Sequence, residues 1–136
     1  MISVVALSPV GAGATPILRL AERSGAYRLL FLSFNLACDG TAANRYPVIS
    51  LEANKGVRSF MIGDTGAKVV ASTNGDFSFF TGSNPASGLA GIVPFGVHLP
   101  DDGFFVPAGY NFRLDVVNVQ AGDVLSNAFC LIEDVE

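Results

Sequence analysis

The chain has 136 residues, half of them hydrophobic and only 15% charged, with a formal net charge of −4 and a pI near 4.8. That length sets one domain, able to bury roughly two thirds of the surface its unfolded form exposes. Lys and Arg scattered singly from Arg19 to Arg113 give no nucleic-acid footprint, and the absence of an unbroken apolar run of about 18 residues excludes a membrane helix. A charged fraction well below the roughly 25% of an average soluble domain instead predicts a surface covered by other subunits, in a homo-oligomer or on a larger assembly.

The first twenty residues combine an apolar stretch with small residues, but no Lys or Arg precedes Arg19 and Pro9 interrupts the run, so they read as extended structure and not as a secretory signal. Residues 2–7 predict a strand and 16–20 a second extended piece, separated by a Gly-Ala-Gly-Ala hinge at 11–14. Two placements are open for this 1–24 segment. It is an arm that adds a strand to a neighbour's sheet edge, burying Ile2, Val4, Val5, Leu7, Ile17 and Leu18, or it is the first edge strand of its own sandwich. As an arm it is expected to be removable, with deletion of residues 1–20 leaving the 25–136 sandwich folded and docking lost.

Residues 27–36, 46–52, 77–81, 110–118 and 124–133 are rich in β-branched and aromatic side chains and bounded by Gly, Asn, Asp or Pro. In the first of these, alternation puts Leu30, Leu32, Phe34 and Leu36 on one face and Leu29, Phe31, Ser33 and Asn35 on the other. Turn chemistry at 54–56, 63–66 and 74–76 makes the middle of the chain a meander. A polar loop at 82–88, followed by the loosely patterned 89–99, predicts an exposed excursion. Beyond the turn at Pro107-Ala108-Gly109, Tyr110, Phe112, Leu114 and Val116 form an apolar face against Asn111, Arg113 and Asp115. In the last strand Leu125, Phe129 and Leu131 alternate with Ser126, Ala128 and Cys130, which predicts a strand that is central or covered on both sides. The count gives an all-β chain, a jelly-roll-like antiparallel β-sandwich of about eight strands with an extended N-terminal segment.

Little of the chain carries chemistry. His98 is the sole histidine, so neither a zinc site nor a cupin-type metal centre can be assembled around it, and it reads as a strand-end or interface residue. No serine lies in a Gly-x-Ser-x-Gly elbow. The carboxylate pairs Asp101-Asp102 and Glu133-Asp134 sit at turns or the C-terminus, where solvated charge is the usual role. The Asp-Thr-Gly at 64–66 is explained by a hairpin turn. Cys38 and Cys130 read as free thiols. No catalytic residue, cofactor or metal is therefore expected. The absence of Trp, with only Tyr27, Tyr46 and Tyr110 available for stacking, argues against a carbohydrate-binding module. Adjacent aromatics put one ring on each face of a strand, which makes Phe104 and Phe105 the strongest interface candidates outside the N-terminal segment.

The phrases Tyr27-Arg-Leu-Leu-Phe-Leu-Ser-Phe-Asn-Leu, Ala43-Asn-Arg-Tyr-Pro-Val-Ile, Val106-Pro-Ala-Gly-Tyr-Asn-Phe-Arg-Leu-Asp and Ala121-Gly-Asp-Val-Leu-Ser-Asn resemble small jelly-roll virion proteins of tailed bacteriophages. The resemblance covers about residue 25 to the C-terminus, and its motifs are structural. It implies that Asn44 and Arg45 open a strand and that the Pro-Ala-Gly turn sets up the penultimate one. It further implies a capsid decoration or cement protein, made in the host cytoplasm and resident in the virion. Its partner would be the major capsid protein, with a homotrimer favoured and neither nucleic acid nor membrane bound. A head-to-tail or tail-fibre adaptor is the alternative within the same class.

Overall fold

A computed structural model describes residues 2–7, 17–20, 25–53, 57–63, 68–81 and 93–135. The hinge at 11–14, the turns at 54–56 and 64–66 and the loop at 82–92 lie outside these residues. Ten strands run in chain order: β1 (Ile2–Ala6), β2 (Ile17–Arg19), β3 (Tyr27–Ala37), β4 (Tyr46–Glu52), β5 (Arg58–Gly63), β6 (Asn74–Phe80), β7 (Val93–His98), β8 (Phe104–Val106), β9 (Asn111–Val117) and β10 (Val124–Asp134). They form two sheets, β1-β10-β3-β6-β7 with β8 also on β3, and β2-β9-β4-β5.

The pairing has the logic of a rolled ribbon. Antiparallel pairs β1/β10, β2/β9, β3/β6 and β4/β5 fall alternately in one sheet and the other. A long antiparallel hairpin wound in this way is a jelly roll. The parallel β7 and the short β8 are additions to it, and β7 occupies part of the stretch expected to be an excursion. Residues 25–136 supply eight of the strands, and the first twenty-four supply β1 and β2.

Both N-terminal strands lie on strands of their own chain, β1 on β10 and β2 on β9. Each is the first strand of a ribbon pair, so the expectation that residues 1–20 can be removed from a folded sandwich no longer follows. Leu7 and Leu20 are buried in the common core.

That core lies between the sheets. Leu32, Phe34, Leu36, Phe77, Phe79, Cys130 and Ile132 meet Ile49, Phe112, Leu114 and Val116 from the opposite sheet. The Tyr27 hydroxyl ties the layers together, donating to Asn111 Oδ1 at 2.7 Å and accepting from the Phe112 amide at 3.3 Å. Asn111 Nδ2 donates in turn to the Leu20 carbonyl at 2.7 Å. Both buried polar groups are thus satisfied where an unpaired one would cost about 1–3 kcal/mol.

Two bulges change the alternation expected from sequence. In β3 the register on β10 slips between Leu131 and Ile132, so Leu29 joins Leu32, Phe34 and Leu36 in the core and Leu30 leaves it half-buried. In β10 the register slips between Ser126 and Phe129, with Asn127 at φ 52°. Leu125 is therefore followed into the core by Ala128, Cys130 and Ile132, while Phe129 and Leu131 turn outward. Of the two expectations for β10, central or covered on both sides, the first describes it. It is central within its sheet, but its outer face meets solvent.

Candidate functional interface

The cross-strand register places residues of all six strands in rows on the outer face of the six-stranded sheet. Val4 lies opposite Leu131, Leu131 opposite Phe31, Phe31 opposite Phe80 and Phe80 opposite His98. On one side of this row runs Ala6, Phe129, Ser33, Ser78 and Gly96. On the other runs Ile2, Glu133, Arg28 and Phe105. The apolar members gather at the β1/β10/β3 end. Val4 is 72% exposed, Ile2 56% and Phe129 41%, and Phe129 touches Phe31 with ring centroids 6.0 Å apart. Phe80 is buried in the same row beneath the His98 ring, 4.9 Å away.

Farther along β3 the face turns polar: Asn35 Nδ2 donates to Asn74 Oδ1 at 2.7 Å, with Asp76 Oδ1 at 3.5 Å. A contiguous apolar area rimmed by polar groups is the usual form of a docking surface. The β10 bulge is what makes this one, because it aims Phe129 and Leu131 away from the core.

The residues expected at an interface divide across the structure. Ile2 and Val4 lie on the exposed face, Val5 is half-buried against the core and Leu7 is buried within it. Ile17 and Leu18 fall in β2, whose side chains are not described. Phe104 is 2% exposed and packs in the core, so it is corrected from interface to core. Phe105 is 47% exposed beneath the Arg28 guanidinium, 5.6 Å from the ring centroid. Alternation already set Phe31 on the face opposite Leu32, Phe34 and Leu36, whereas Phe129 and Leu131 were missed because a period-two reading cannot see a register slip. The Ser126-Asn127 pair, with Asn tolerant of positive φ, is the only sequence signal of it.

A second cluster, closed on itself, holds one end of the roll. Arg45 precedes β4, pairs through its backbone with Val69 and has no exposed surface. Its Nε and Nη2 donate to Asp123 Oδ2 and Oδ1 at 2.9 and 3.0 Å, Nη2 also to Asp39 Oδ1 at 2.9 Å, and Nη1 to the Ala43 carbonyl at 2.9 Å. Asp123 accepts further from the amides of Gln120 and Asp39, and Asp39 from those of Thr41 and Gly122. A Cβ on Gly122 would lie 2.7 Å from Asp39 Oδ2, so the turn needs glycine there.

Burial alone would raise the Asp123 carboxyl, but Arg45 and the two backbone donors outweigh it and hold its pKa below the ordinary value. The hydrogen bond to Asp123 correspondingly holds Arg45 above its own. Burial pushes the neighbouring Cys38 thiol up to about 11, against the lowering influence of Arg45. These groups spend their hydrogen bonds on one another, joining the β3–β4 and β9–β10 connections, and present no open coordination.

His98 ends β7, and its Nδ1 lies 2.7 Å from the Leu99 carbonyl. A carbonyl can only accept, so Nδ1 carries the proton. Asp101 and Asp102 are exposed in the turn before β8, Cys38 and Cys130 are not joined in a disulfide, and Tyr110 is exposed ahead of β9. Among the described residues no group of three His, Cys, Asp or Glu side chains is placed to hold a metal ion.

No protein-family pattern matches the chain, and no curated protein matches it. Among solved structures it is similar to a chain in the structure of infectious bursal disease virus Gx strain, at 9% identity and TM-score 0.47, over 97% of this chain and 32% of that one. It is also similar to chains in the structure of PfGH50B (10%, 0.38, 100% and 23%) and of infectious bursal disease virus Gt strain (10%, 0.38, 97% and 29%). The chain thus spans about a third or less of the proteins it resembles in shape. Likeness at this level carries no functional argument, and the jelly roll rests on the chain's own strand pairing.

Proposed function

We propose that this protein is a non-enzymatic structural component of a bacteriophage virion, a decoration or cement protein that docks on the major capsid protein shell and stabilises it. The observation that carries the reading is the apolar patch of Val4, Leu131, Phe31 and Phe129 on an exposed sheet face. A bulge spends large apolar side chains there that a simple sandwich would put in its core. The likeness of the 25–136 phrases to small jelly-roll virion proteins supplies the class of assembly, and the patch supplies the surface.

Docking covers the patch, and the polar end at Asn35 and Asp76 fixes its orientation on the partner. Each contact is modest, but many copies on one shell act together. The absence of chemistry in the reading rests on the same residues: the one histidine is held by Leu99 and Phe80, and the buried charges are committed to one another.

Quantitative mass spectrometry of purified virions tests this. A copy number comparable with that of the major capsid protein is expected. A few copies per particle would move the protein to an adaptor or fibre position, and its absence would remove the virion role.

A further inference from the structure

We propose that β1 is a pairing edge for a second copy of this chain, the two β1 strands running antiparallel about a two-fold axis through Val4. The inference does not depend on the virion reading. Among the described residues the sheet edges are β1, β7, β2, β5 and the free side of β8. An edge offers unpaired N–H and C=O groups, and natural chains blunt it with proline, charge, irregularity or shortness. β7 contains Pro94 and Gly96, β5 begins with Arg58 and breaks register against Ser50/Leu51 of β4, β2 is three residues ending in Arg19, and β8 is only three residues long. β1 has none of these devices. Its sequence, Ile2-Ser3-Val4-Val5-Ala6, is uncharged, mostly β-branched and in unbroken register on β10.

The hydrogen-bond parity gives the pairing a definite form. The Leu7 amide donates to the Ala128 carbonyl at 2.9 Å. With Ala6 opposite Phe129, this puts Ser3, Val5 and Leu7 at the positions bonded to β10. The backbone groups of Ile2, Val4 and Ala6 consequently point to the open edge. About an axis at Val4, Ile2 meets the second copy's Ala6, Val4 meets the second copy's Val4, and each such pair exchanges both main-chain hydrogen bonds.

The side chains agree with this register. Ile2, Val4 and Ala6 all lie on the outer face, and a two-fold axis normal to the sheet keeps them there, so the row of Val4, Leu131, Phe31 and Phe80 continues into its copy. The carboxylates do not oppose one another. Glu133 flanks Ile2 at one end of β1, and its copy flanks the other end, about 14 Å away along the strand at roughly 3.4 Å per residue. That exceeds the Debye length of about 10 Å at 0.1 M salt. The isologous contact uses both edges and closes, giving a dimer and not a fibre. This is two-fold association, where the family resemblance led us to expect a trimer.

Light scattering and amide hydrogen exchange on the purified chain, with no capsid present, test the proposal separately from the virion role. The expected mass is twice 14.2 kDa, falling to 14.2 kDa in Val4→Lys, which sets two ammonium groups against each other at the axis. The amides of Ile2, Val4 and Ala6 should exchange slowly in the wild type and fast in the variant. Those of Ser3, Val5 and Leu7 should stay slow in both, which separates dissociation from loss of β1. A wild-type mass of one or three chains, or fast exchange at Val4 in the wild type, overturns the pairing.

Should Val4→Lys also free Ser3 and Val5, Val4→Cys decides. Paired residues of this kind have Cα atoms about 5.5 Å apart, within the disulfide range of roughly 4.4–6.8 Å. Diamide, accepting the two thiol hydrogens, should therefore give a covalent dimer. A chain that stays uncrosslinked would overturn the register.

Discussion

Arg45 carries a full charge with no exposed surface, and the chain tolerates it because every direction of the guanidinium meets a carboxylate or a carbonyl. Removing one side of such a pair leaves the other uncompensated, so Arg45→Ala is expected to lower stability by about 3–5 kcal/mol, read as a shift of the urea midpoint. The Arg113 pairs with Glu52 and Asp115, at 3.0 and 2.8 Å, are less completely buried, with the Arg113 side chain 18% exposed. Arg113→Ala should therefore cost less than Arg45→Ala, and equal losses would show that burial is not what distinguishes the two clusters.

The depressed Asp123 pKa has a pH signature of definite sign. Its contribution is complete above the unfolded-state value of about 3.9 and is lost as pH falls through the lower folded value. Asp123→Asn should flatten the acid limb of the stability profile and leave its alkaline limb unchanged. At neutral pH the Cys38 thiol, with a pKa of about 11, is almost wholly protonated. Its alkylation should run about a hundredfold or more below that of an ordinary thiol with pKa near 8.5, and rapid labelling of Cys38 in the folded chain would contradict the raised pKa that its partial burial produces.

At the scale of elements, β1 and β2 test what the ribbon requires. Deleting residues 1–20 strips β10 and β9 of their outer partners and removes Leu7 and Leu20 from the core. The truncated chain is expected to lose its cooperative thermal transition or to aggregate through the newly exposed edges, and an unchanged melting temperature would return these residues to the status of a detachable arm. Strand identity was largely legible in the sequence. Expectations of 46–52 and 124–133 meet Tyr46–Glu52 and Val124–Asp134, because runs of β-branched and aromatic residues bounded by turn formers mark strands locally. Face was less legible. Phe129 and Leu131 look like core by alternation, and only the slip at Ser126 and Asn127 sends them outward, a decision made by pairing with β3. Phe104 and Phe105 show the same limit: alternation separates them, but only the packing of β8 on β3 says which ring goes inward. The role of Arg45 was invisible for a related reason, since its partner Asp123 lies 78 residues away.

For the whole molecule, the two ends of the outer face imply different physics for a docked partner. Net charge is −4, yet among the described residues the exposed apolar side chains Ile2, Val4 and Phe129 gather on one face, with Glu133 and Arg28 beside them. Docking governed by charge would weaken steeply with salt, because exposed charges are screened within about 8 Å at physiological ionic strength. Docking governed by this patch should instead hold its affinity within about threefold between low and high salt and carry a negative heat-capacity change, the mark of apolar burial. If the partner is the proposed capsid shell, calorimetric titration of the protein onto shells lacking it, at two salt concentrations and several temperatures, gives both quantities at once. Phe129→Glu should abolish binding under every condition while leaving the melting temperature nearly unchanged, since that ring is already partly in water. A steep salt dependence with normal binding by Phe129→Glu would move the docking surface away from this face and onto the charged loops at the ends of the roll.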